Sequence, residues 1–299
     1  MRISKHNNEV TTMLLSTSTG YLKPKLSYKK VFQTMKAAGF DAYDFSASSE
    51  SKTAKSPLMR DDYMDFAREL KQLADDAGLI CNQAHATFPP EKYGDEDYNR
   101  ITFQRILREM EVSAYLGAKC IVVHAVKPLP KGVDAWAENL RFYRSLQPYC
   151  EKFNIKVAVE NLFEYDEVRE RLRPCFIGTS EKLARFVDEL GSDWFTVCLD
   201  IGHAAINTED PEDAIRNLGK RITAVHIHDN DFVDDRHTIP YLGKANWDAI
   251  CQAFADIGYE GEFTLETVLY EGAFPAELLP AALEFEAQIG RHLIAKIEK

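Results

Sequence analysis

The feature that most restricts the fold of this chain is a repeated unit, in which an amphipathic segment ends at a glycine and an apolar strand follows at once. The stretches "KAAGFDAYDFS", "YLGAKCIVVHA" and "DELGSDWFTVCLD" are three copies of this unit. Glycine enters the left-handed conformation that ends many helices without steric penalty. We therefore predict helix C-caps at five positions: Gly39, Gly78, Gly117, Gly191 and Gly258.

The number of units indicates the architecture. Between Asp61 and Ala77, apolar residues recur with a period of 3.6, as in a helix that packs on a sheet. Strands follow one another at intervals of about 36 residues. They are predicted near Met13, Asp41, Ile80, Ile121, Val157, Thr196, Thr223 and Phe263.

Eight such units in 299 residues predict an α/β protein with a single closed (β/α)8 TIM barrel over residues 1–299, preceded by a short extension of about residues 1–11. An open, doubly wound sheet is the alternative. It would carry a glycine-rich loop after the first strand, whereas "LLSTSTGYLKPK" contains a single glycine. Longer loops are expected over residues 88–100, 127–135, 163–179 and 230–246.

Charge, hydropathy and cysteine content restrict the class of protein. The net charge of -11 argues against a nucleic acid partner. No apolar run approaches the roughly 18 residues of a membrane span, and "MRISKHNNEV" has no signal-peptide core, so we expect a soluble, cytoplasmic protein. The six cysteines stand singly, which is typical of buried, reduced thiols.

Six consecutive predicted strands end in residue types that bind metals. These residues are His85, His124, Glu160, Asp200 followed by His203, His226 followed by His228, and Glu266. The carboxyl ends of barrel strands meet at one face, and a carboxylate buried there is costly unless it is paired or binds a cation. Mixed carboxylate and imidazole ligands suit Mn²⁺, Co²⁺, Mg²⁺ or Zn²⁺, so the sequence predicts a divalent-metal site.

Single residues of this set also have simpler interpretations. His85 or His124 alone would be a hydrogen-bonded barrel histidine, and Glu160 or Glu266 alone would be half of a rim ion pair. His228 would be either a substrate contact or a support for a ligand. Loop aromatics would either pack at the rim or stack on a sugar, namely Phe88, Trp136, Phe163, Tyr165 and Trp247.

Seven short motifs together resemble the xylose isomerase-like TIM barrel superfamily, the sugar phosphate isomerase/epimerase group that also includes DNA repair enzymes of the endonuclease IV type. The resemblance extends over nearly the whole chain. The motifs are "QAH" at 83–85, "VVH" at 122–124, "VENL" at 159–162, "CLDIGH" at 198–203, "VHIHDND" at 225–231, "DRHTIPYLG" at 235–243 and "LET" at 265–267.

This resemblance implies one divalent metal, Mn²⁺ above the others, held by Glu160, Asp200, His226 and Glu266. It further implies that Glu160 and Glu266 act as base and acid on a ketose or related keto-sugar, giving an isomerase or epimerase by enediolate proton transfer. Substrate contacts are expected from His203 and from five other residues: His85, His124, His228, Arg236 and His237. A homo-oligomer is compatible with the sequence.

Two other functions on the same scaffold stay open. Ketose 3-epimerases carry an arginine six residues after the metal histidine, whereas this chain has Phe232 there and Arg236 further on. The first alternative is therefore a metal-dependent lyase, of the inosose dehydratase or C-glycoside-cleaving kind. The second is an abasic-site endonuclease with three zinc ions, whose ligand order this chain matches with Asp235 included. The acidic loop "HDNDFVDD" argues against that endonuclease.

Overall fold

A computed structural model describes residues 13–299 of the chain. The extension expected over residues 1–11, and His6 within it, lie outside the described residues. Within them, eight parallel strands form a barrel, and two further strands pair as a separate hairpin. The strands are β1 (Leu15–Ser18), β2 (Ala42–Phe45), β3 (Ile80–His85), β4 (Cys120–Val123), β5 (Lys156–Glu160), β6 (Phe163–Asp166), β7 (Arg171–Pro174), β8 (Phe195–Asp200), β9 (Ile222–His226) and β10 (Phe263–Leu265).

The parallel strands are ordered β10, β1, β2, β3, β4, β5, β8, β9. The ring is completed between β9 and β10 by two hydrogen bonds at Ile227, just beyond the end of β9. Its amide donates to the carbonyl oxygen of Thr264 at 2.9 Å, and its carbonyl oxygen accepts from the amide of Glu266 at 3.0 Å. The closed (β/α)8 barrel predicted from the repeat is confirmed.

Helices follow the strands and pack on the outside of the sheet. They are α1 (Tyr28–Ala38), α2 (Tyr63–Ala77), α3 (Glu96–Leu116), α4 (Ala135–Phe153), α5 (Ser180–Leu190), α6 (Ile201–Ile206), α7 (Pro211–Leu218), α8 (Trp247–Asp256), α9 (Val268–Ala273) and α10 (Leu279–Ile297). Gly39, Gly78, Gly117 and Gly191 are left-handed C-caps as predicted. Gly258 is also left-handed, but it follows Ile257, which is the C-cap of α8.

The inside of the barrel is filled by small and polar side chains. Ser16 donates to Asn82 at 2.7 Å, and the Asn82 amide donates to the Thr264 hydroxyl at 2.9 Å. A small apolar cluster lies beside this network, formed by Cys120, Val122, Ala158, Cys198 and Ala224. All six cysteines are buried and unpaired, as expected from the sequence. The bulky apolar side chains instead fill the layer between the sheet and the helices.

Two of the expected loops have more structure than the sequence indicated. Residues 163–179 contain the antiparallel hairpin β6–β7, in which Glu164 lies opposite Arg173 and pairs with it at 2.8 Å. The loop over residues 230–246 is held by the carboxylate of Asp229, which accepts from Trp247 Nε1 at 2.9 Å and from three backbone amides of the loop. Among residues 13–299, no helix has the length and hydropathy needed to cross a membrane.

Close packing between α10 and the barrel leads to a prediction. A Cβ added at Gly290 would overlap the Leu15 side chain and lie 3.3 Å from Leu265, whereas one added at Gly272 would make an ordinary 3.5 Å contact with Tyr21. We expect Gly290→Ala to lower the free energy of unfolding by about 1–3 kcal/mol, because overpacked cores shift side chains and backbone. Urea unfolding measures this, with Gly272→Ala as the control. Equal stability of the two variants would contradict the packing described.

Candidate metal centre and active site

Four residues predicted as metal ligands come together at the carboxyl ends of the strands. Glu160, Asp200 and His226 are the last residues of β5, β8 and β9, and Glu266 directly follows β10. Their ligand atoms all lie within 4.8 Å of one another. His226 Nδ1 is 3.0 Å from Glu160 Oε1, 3.2 Å from Glu266 Oε2 and 3.9 Å from Asp200 Oδ2. One imidazole nitrogen therefore faces three carboxylates.

A second group of possible ligands shares Glu160 with the first. His124 Nε2 lies 2.8 Å from Glu160 Oε2, and His85 Nε2 lies 4.0 Å from the same oxygen. This oxygen is buried, and no donor is aligned to form a hydrogen bond with it. Glu160 thus presents Oε1 to one group and Oε2 to the other.

A third group lies on the opposite side of Asp200 and combines it with His203, His228 and His237. Asp235 belongs to the same neighbourhood, because its carboxylate is 3.0 Å from His237 Nε2 and 3.5 Å from His203 Nε2. Asp235 Oδ1 is buried and makes no hydrogen bond. Three adjacent groups of ligand atoms therefore line the end of the barrel.

Backbone carbonyls orient several of these histidines. The Nδ1 atoms of His85, His203 and His237 lie 2.9–3.1 Å from the carbonyl oxygens of Ala86, Asn161 and Glu266 respectively. A carbonyl can only accept, so each Nδ1 carries the proton and donates it. The Nε2 of each ring then faces the other ligand residues, which is the usual orientation of a metal-binding histidine.

The motif "CLDIGH" has a local structural explanation. Asp200 ends β8 and caps α6, because its carboxylate accepts from the amide of His203 at 2.7 Å. The same carboxylate contacts His228 Nε2 at 2.9 and 3.0 Å. A Cβ at Gly202 would overlap the His228 ring. Glycine at this position therefore leaves room for the His228 ring to contact the Asp200 carboxylate. The hydrogen bond that caps α6 orients His203 toward the site.

Burial and nearby charges give the two glutamates of the site different pKa values. Burial raises the pKa of Glu266 to about 7, against the opposing effect of His226 and His237. Burial would raise the pKa of Glu160 as well, but the adjacent His124 and His226 outweigh it and hold this pKa well below its usual range. A bound cation would lower both values, because it stabilises the carboxylate form.

Glu160 and Glu266 form the floor of a cavity of about 730 Å³, whereas Asp200 and His226 are fully buried and do not line it. The ring of Phe88 forms part of the wall, 4.7 Å from the His124 ring and 5.6 Å from the His85 ring, and Phe163 forms another part, 4.9 Å from the His203 ring. The other aromatics considered from the sequence do not line it. Tyr165 is exposed, Trp136 packs on Phe186, and Trp247 is buried against Asp229.

The predicted substrate contacts divide into two sets. His85, His124, His203 and His237 line the cavity. His228 does not, because its ring is fully buried behind Asp200 and stacks on His237 with centroids 3.8 Å apart. Arg236 also lies outside the cavity lining, and its guanidinium pairs with Asp231 at 2.8 Å and Asp234 at 3.5 Å.

Four charged residues that line the cavity were not in the predicted set of site residues. Asp235 had a signal in the sequence, since it forms a D-x-H pattern with His237. Lys52, Arg105 and Lys127 had none, because they lie in loops or on a helix away from the strand ends. Lys127 Nζ donates to the carbonyl oxygen of Phe163 and so connects the wall formed after β4 to the wall formed after β5.

The donor set fits divalent cations. Buried carboxylates surround imidazole nitrogens, and Glu160 Oε2 and Asp235 Oδ1 are buried oxygens without a hydrogen-bond partner. Oxygen ligands mixed with imidazole suit Mn²⁺, Co²⁺ and Zn²⁺, and a cation would compensate charges that are costly to bury. Glu160, Asp200, His226 and Glu266 form the group with the most carboxylates.

Comparison with known proteins agrees with this architecture. The model of the xylose isomerase-like TIM barrel family matches residues 32–288. A D-psicose 3-epimerase of Enterocloster bolteae is 25% identical over 258 residues, which cover 82% of this chain and 78% of that protein.

Two solved structures share the fold. The IolI protein, solved with a zinc atom, matches with a TM-score of 0.75 and 17% identity, over 95% of this chain and 99% of that one. A 3-keto-D-glucoside 4-epimerase from E. coli matches with a TM-score of 0.71 and 18% identity, over 92% of this chain and 99% of that one.

The positions of the four proposed ligands predict which substitutions remove a bound metal. We expect Asp200→Asn and His226→Ala to lose bound divalent metal, because each removes a ligand from a group built around it. His292→Ala is the control, since this histidine is exposed and distant in sequence from the strand ends. Elemental analysis of protein purified without chelator gives the metal content. Unchanged content in both site variants would show that the four residues do not form the site.

Proposed function

This chain belongs to the xylose isomerase-like TIM barrel family, and on that premise we propose that it is a divalent-metal-dependent enzyme that epimerises or isomerises a ketose or a related keto-sugar. The proposal is supported by the D-psicose 3-epimerase among its relatives, which is similar over most of both chains. Such a sugar is a small, hydroxyl-rich molecule, and the cavity volume is within the range of small-molecule sites, about 300–1,000 Å³.

The observation that carries the proposal is the placement of the two glutamates. Glu160 ends β5 and Glu266 follows β10, and these two strands are separated around the ring by β8 and β9. Both carboxylates still reach the same atom, His226 Nδ1, at 3.0 and 3.2 Å. Two carboxylates that approach one point from different sides of a cavity can exchange protons with two faces of a substrate held between them.

Glu160, Asp200, His226 and Glu266 would hold the cation. When bound there, it would act as a Lewis acid that polarises a carbonyl oxygen and makes the proton on the adjacent carbon more acidic. For epimerisation, one glutamate removes that proton and the other delivers a proton to the opposite face of the same carbon. For isomerisation, a single glutamate carries the proton between neighbouring carbons.

The remaining cavity residues position the sugar. The Nε2 atoms of His203 and His237, together with the carboxylate of Asp235, offer polar contacts to hydroxyl groups. Phe88 and Phe163 give the wall of the cavity apolar surface, which suits the C–H face of a sugar ring and excludes water from the reacting carbon.

We assign Mn²⁺ as the metal, because three carboxylates and one imidazole form a mostly hard ligand set. Zn²⁺ is the main rival, since the structural neighbour IolI was solved with zinc. A cytoplasmic location and a homo-oligomeric state stay predictions from the sequence.

Proton transfer by the glutamates can be measured directly. We expect a converted keto-sugar to gain solvent deuterium on the carbon next to its carbonyl when the reaction runs in deuterium oxide, because a carboxylate exchanges its proton with water. Glu160→Gln and Glu266→Gln should lower turnover by about 10²–10⁴-fold, the typical contribution of general acid–base catalysis. Glu284→Gln, at an exposed position on α10, is the control.

The metal content of each variant is measured alongside, so that loss of the cation is not taken for loss of the base. Conversion without deuterium at that carbon would indicate direct hydrogen transfer between carbons and remove the base role from both glutamates. Release of water or of an aglycone, with deuterium exchange retained, would identify the lyase alternative on the same scaffold.

A second candidate, the abasic-site endonuclease, is favoured by one observation. Three ligand groups lie side by side, and Glu160 and Asp200 are each shared between two of them. Such an enzyme would bind three zinc ions. Against it, the loop near the cavity is acidic, and Arg236 is neutralised by two aspartates of that loop. We therefore expect no cleavage of a duplex that contains an abasic site. Efficient cleavage, with three zinc ions per chain, would reverse the order of the two candidates.

A further inference from the structure

One wall of the cavity is cationic, in contrast to the acidic floor. Lys52 follows the short 3-10 helix Ala47–Glu50 after β2, and Arg105 lies on α3; both side chains line the cavity. Among residues 13–299, neither forms an ion pair within 4.0 Å. These two side chains therefore provide positive charge on the side of the cavity formed by the loops after β2 and β3.

The guanidinium of Arg105 is not fully paired. Its Nε is buried and has no hydrogen-bond partner. Several other arginines are paired with carboxylates, for example Arg141 with Glu138 and Arg221 with Asp188, both at 2.7 Å. A buried donor without an acceptor is unfavourable, and the cost is larger for a charged group. The Arg105 side chain also lines the cavity, where an anionic ligand could pair with its guanidinium.

Glu109 is the nearest candidate for a partner of Arg105, since it lies one turn later on α3, but its oxygens are already used. Its Oε2 accepts from the amide of Thr87 at 2.9 Å, and its Oε1 accepts from the hydroxyls of Thr87 and Ser51. Glu109 therefore joins the loops after β2 and β3 to α3. It fixes the wall that carries Lys52. The nearby charge of Arg105 stabilises the Glu109 carboxylate, but neither Glu109 oxygen accepts a hydrogen bond from Arg105.

Hydroxyl groups of the segment that precedes Lys52 also line the cavity. Ser46, Ser48 and Ser49 line the same side of the cavity, and the hydroxyls of Ser46 and Ser49 lie 3.0 Å apart. Planar guanidinium, ammonium and hydroxyl donors together are the groups that bind phosphate and carboxylate oxygens in proteins. Lys127 is not part of this set, because its ammonium is directed to the carbonyl oxygen of Phe163 on another wall.

We propose that Lys52 and Arg105 form an anion subsite, and that the substrate is an anionic keto-sugar whose phosphate or carboxylate group binds there while its carbonyl end lies at the floor of the cavity. This assignment rests on the proposed function and adds the class of substrate to it. A terminal anion of this kind would orient an otherwise hydroxyl-rich molecule, so that one particular carbon faces the glutamates.

The test compares three ligands that differ only at one terminal carbon: D-fructose, D-fructose 6-phosphate and D-fructuronate. Calorimetry gives their affinity for the Mn²⁺-loaded protein, for Arg105→Gln, for Lys52→Gln and for the control Lys55→Gln. Lys55 is exposed on the same connecting segment but does not line the cavity. Because none of these lysines or arginines is a metal ligand, the contribution of the metal is the same in every protein.

We expect at least one charged sugar to bind about tenfold or more tightly than D-fructose, and Arg105→Gln to abolish most of that difference, because a charge-assisted hydrogen bond is worth about one decade in affinity or more. Lys52→Gln should have a smaller effect, and Lys55→Gln none. Preference for D-fructose 6-phosphate indicates a phosphate, and preference for D-fructuronate indicates a carboxylate; either supports the subsite.

Equal affinity for the neutral and the charged sugars would overturn the proposal. So would an equal loss for all three ligands in Arg105→Gln, or loss of abasic-DNA binding in that variant with sugar binding unchanged. Charge-dependent binding without any solvent deuterium in the sugars would leave the anion subsite in place and refute the epimerase function instead. The two proposals therefore fail by different measurements.

Discussion

Three carboxylates buried at neighbouring strand ends are the constraint on which the functional face of this barrel depends. Glu160, Asp200 and Glu266 surround a single imidazole nitrogen, and charges buried in this way need compensation from hydrogen bonds or a cation. The side chain of Asn161 exchanges hydrogen bonds of 2.8 and 2.9 Å with the backbone of Asp200, which holds the ends of β5 and β8 together. The position of each carboxylate is thus determined by the backbone.

The sequence predicted the fold and the ligand-bearing strand ends for one physical reason. In a parallel barrel, consecutive strands must bring their carboxyl ends to one face, so a residue type that recurs at those ends is placed without knowledge of side-chain conformation. The four proposed ligands lie close together because their positions depend only on this rule.

Residues beyond the strand ends were less predictable. His228 was expected to be either a substrate contact or a support for a ligand. The chain leaves β9 after His226, and His228 contacts the Asp200 carboxylate without lining the cavity. Arg236 and Asp235 are adjacent in sequence, yet one pairs with loop aspartates and the other lines the cavity, because the loop conformation is set by Asp229. The hairpin β6–β7 is formed by local pairing, which the repeat pattern does not describe.

The incomplete ladder between β9 and β10 has a mechanical consequence. Elsewhere adjacent strands are joined along several residues, whereas here the ring is held by the two hydrogen bonds of Ile227, making this junction the seam of the barrel. His226 precedes the seam on one strand, and Glu266 follows it on the other. A cation bound to both would join the two strands at the seam, so that metal affinity and closure of the barrel would be thermodynamically linked.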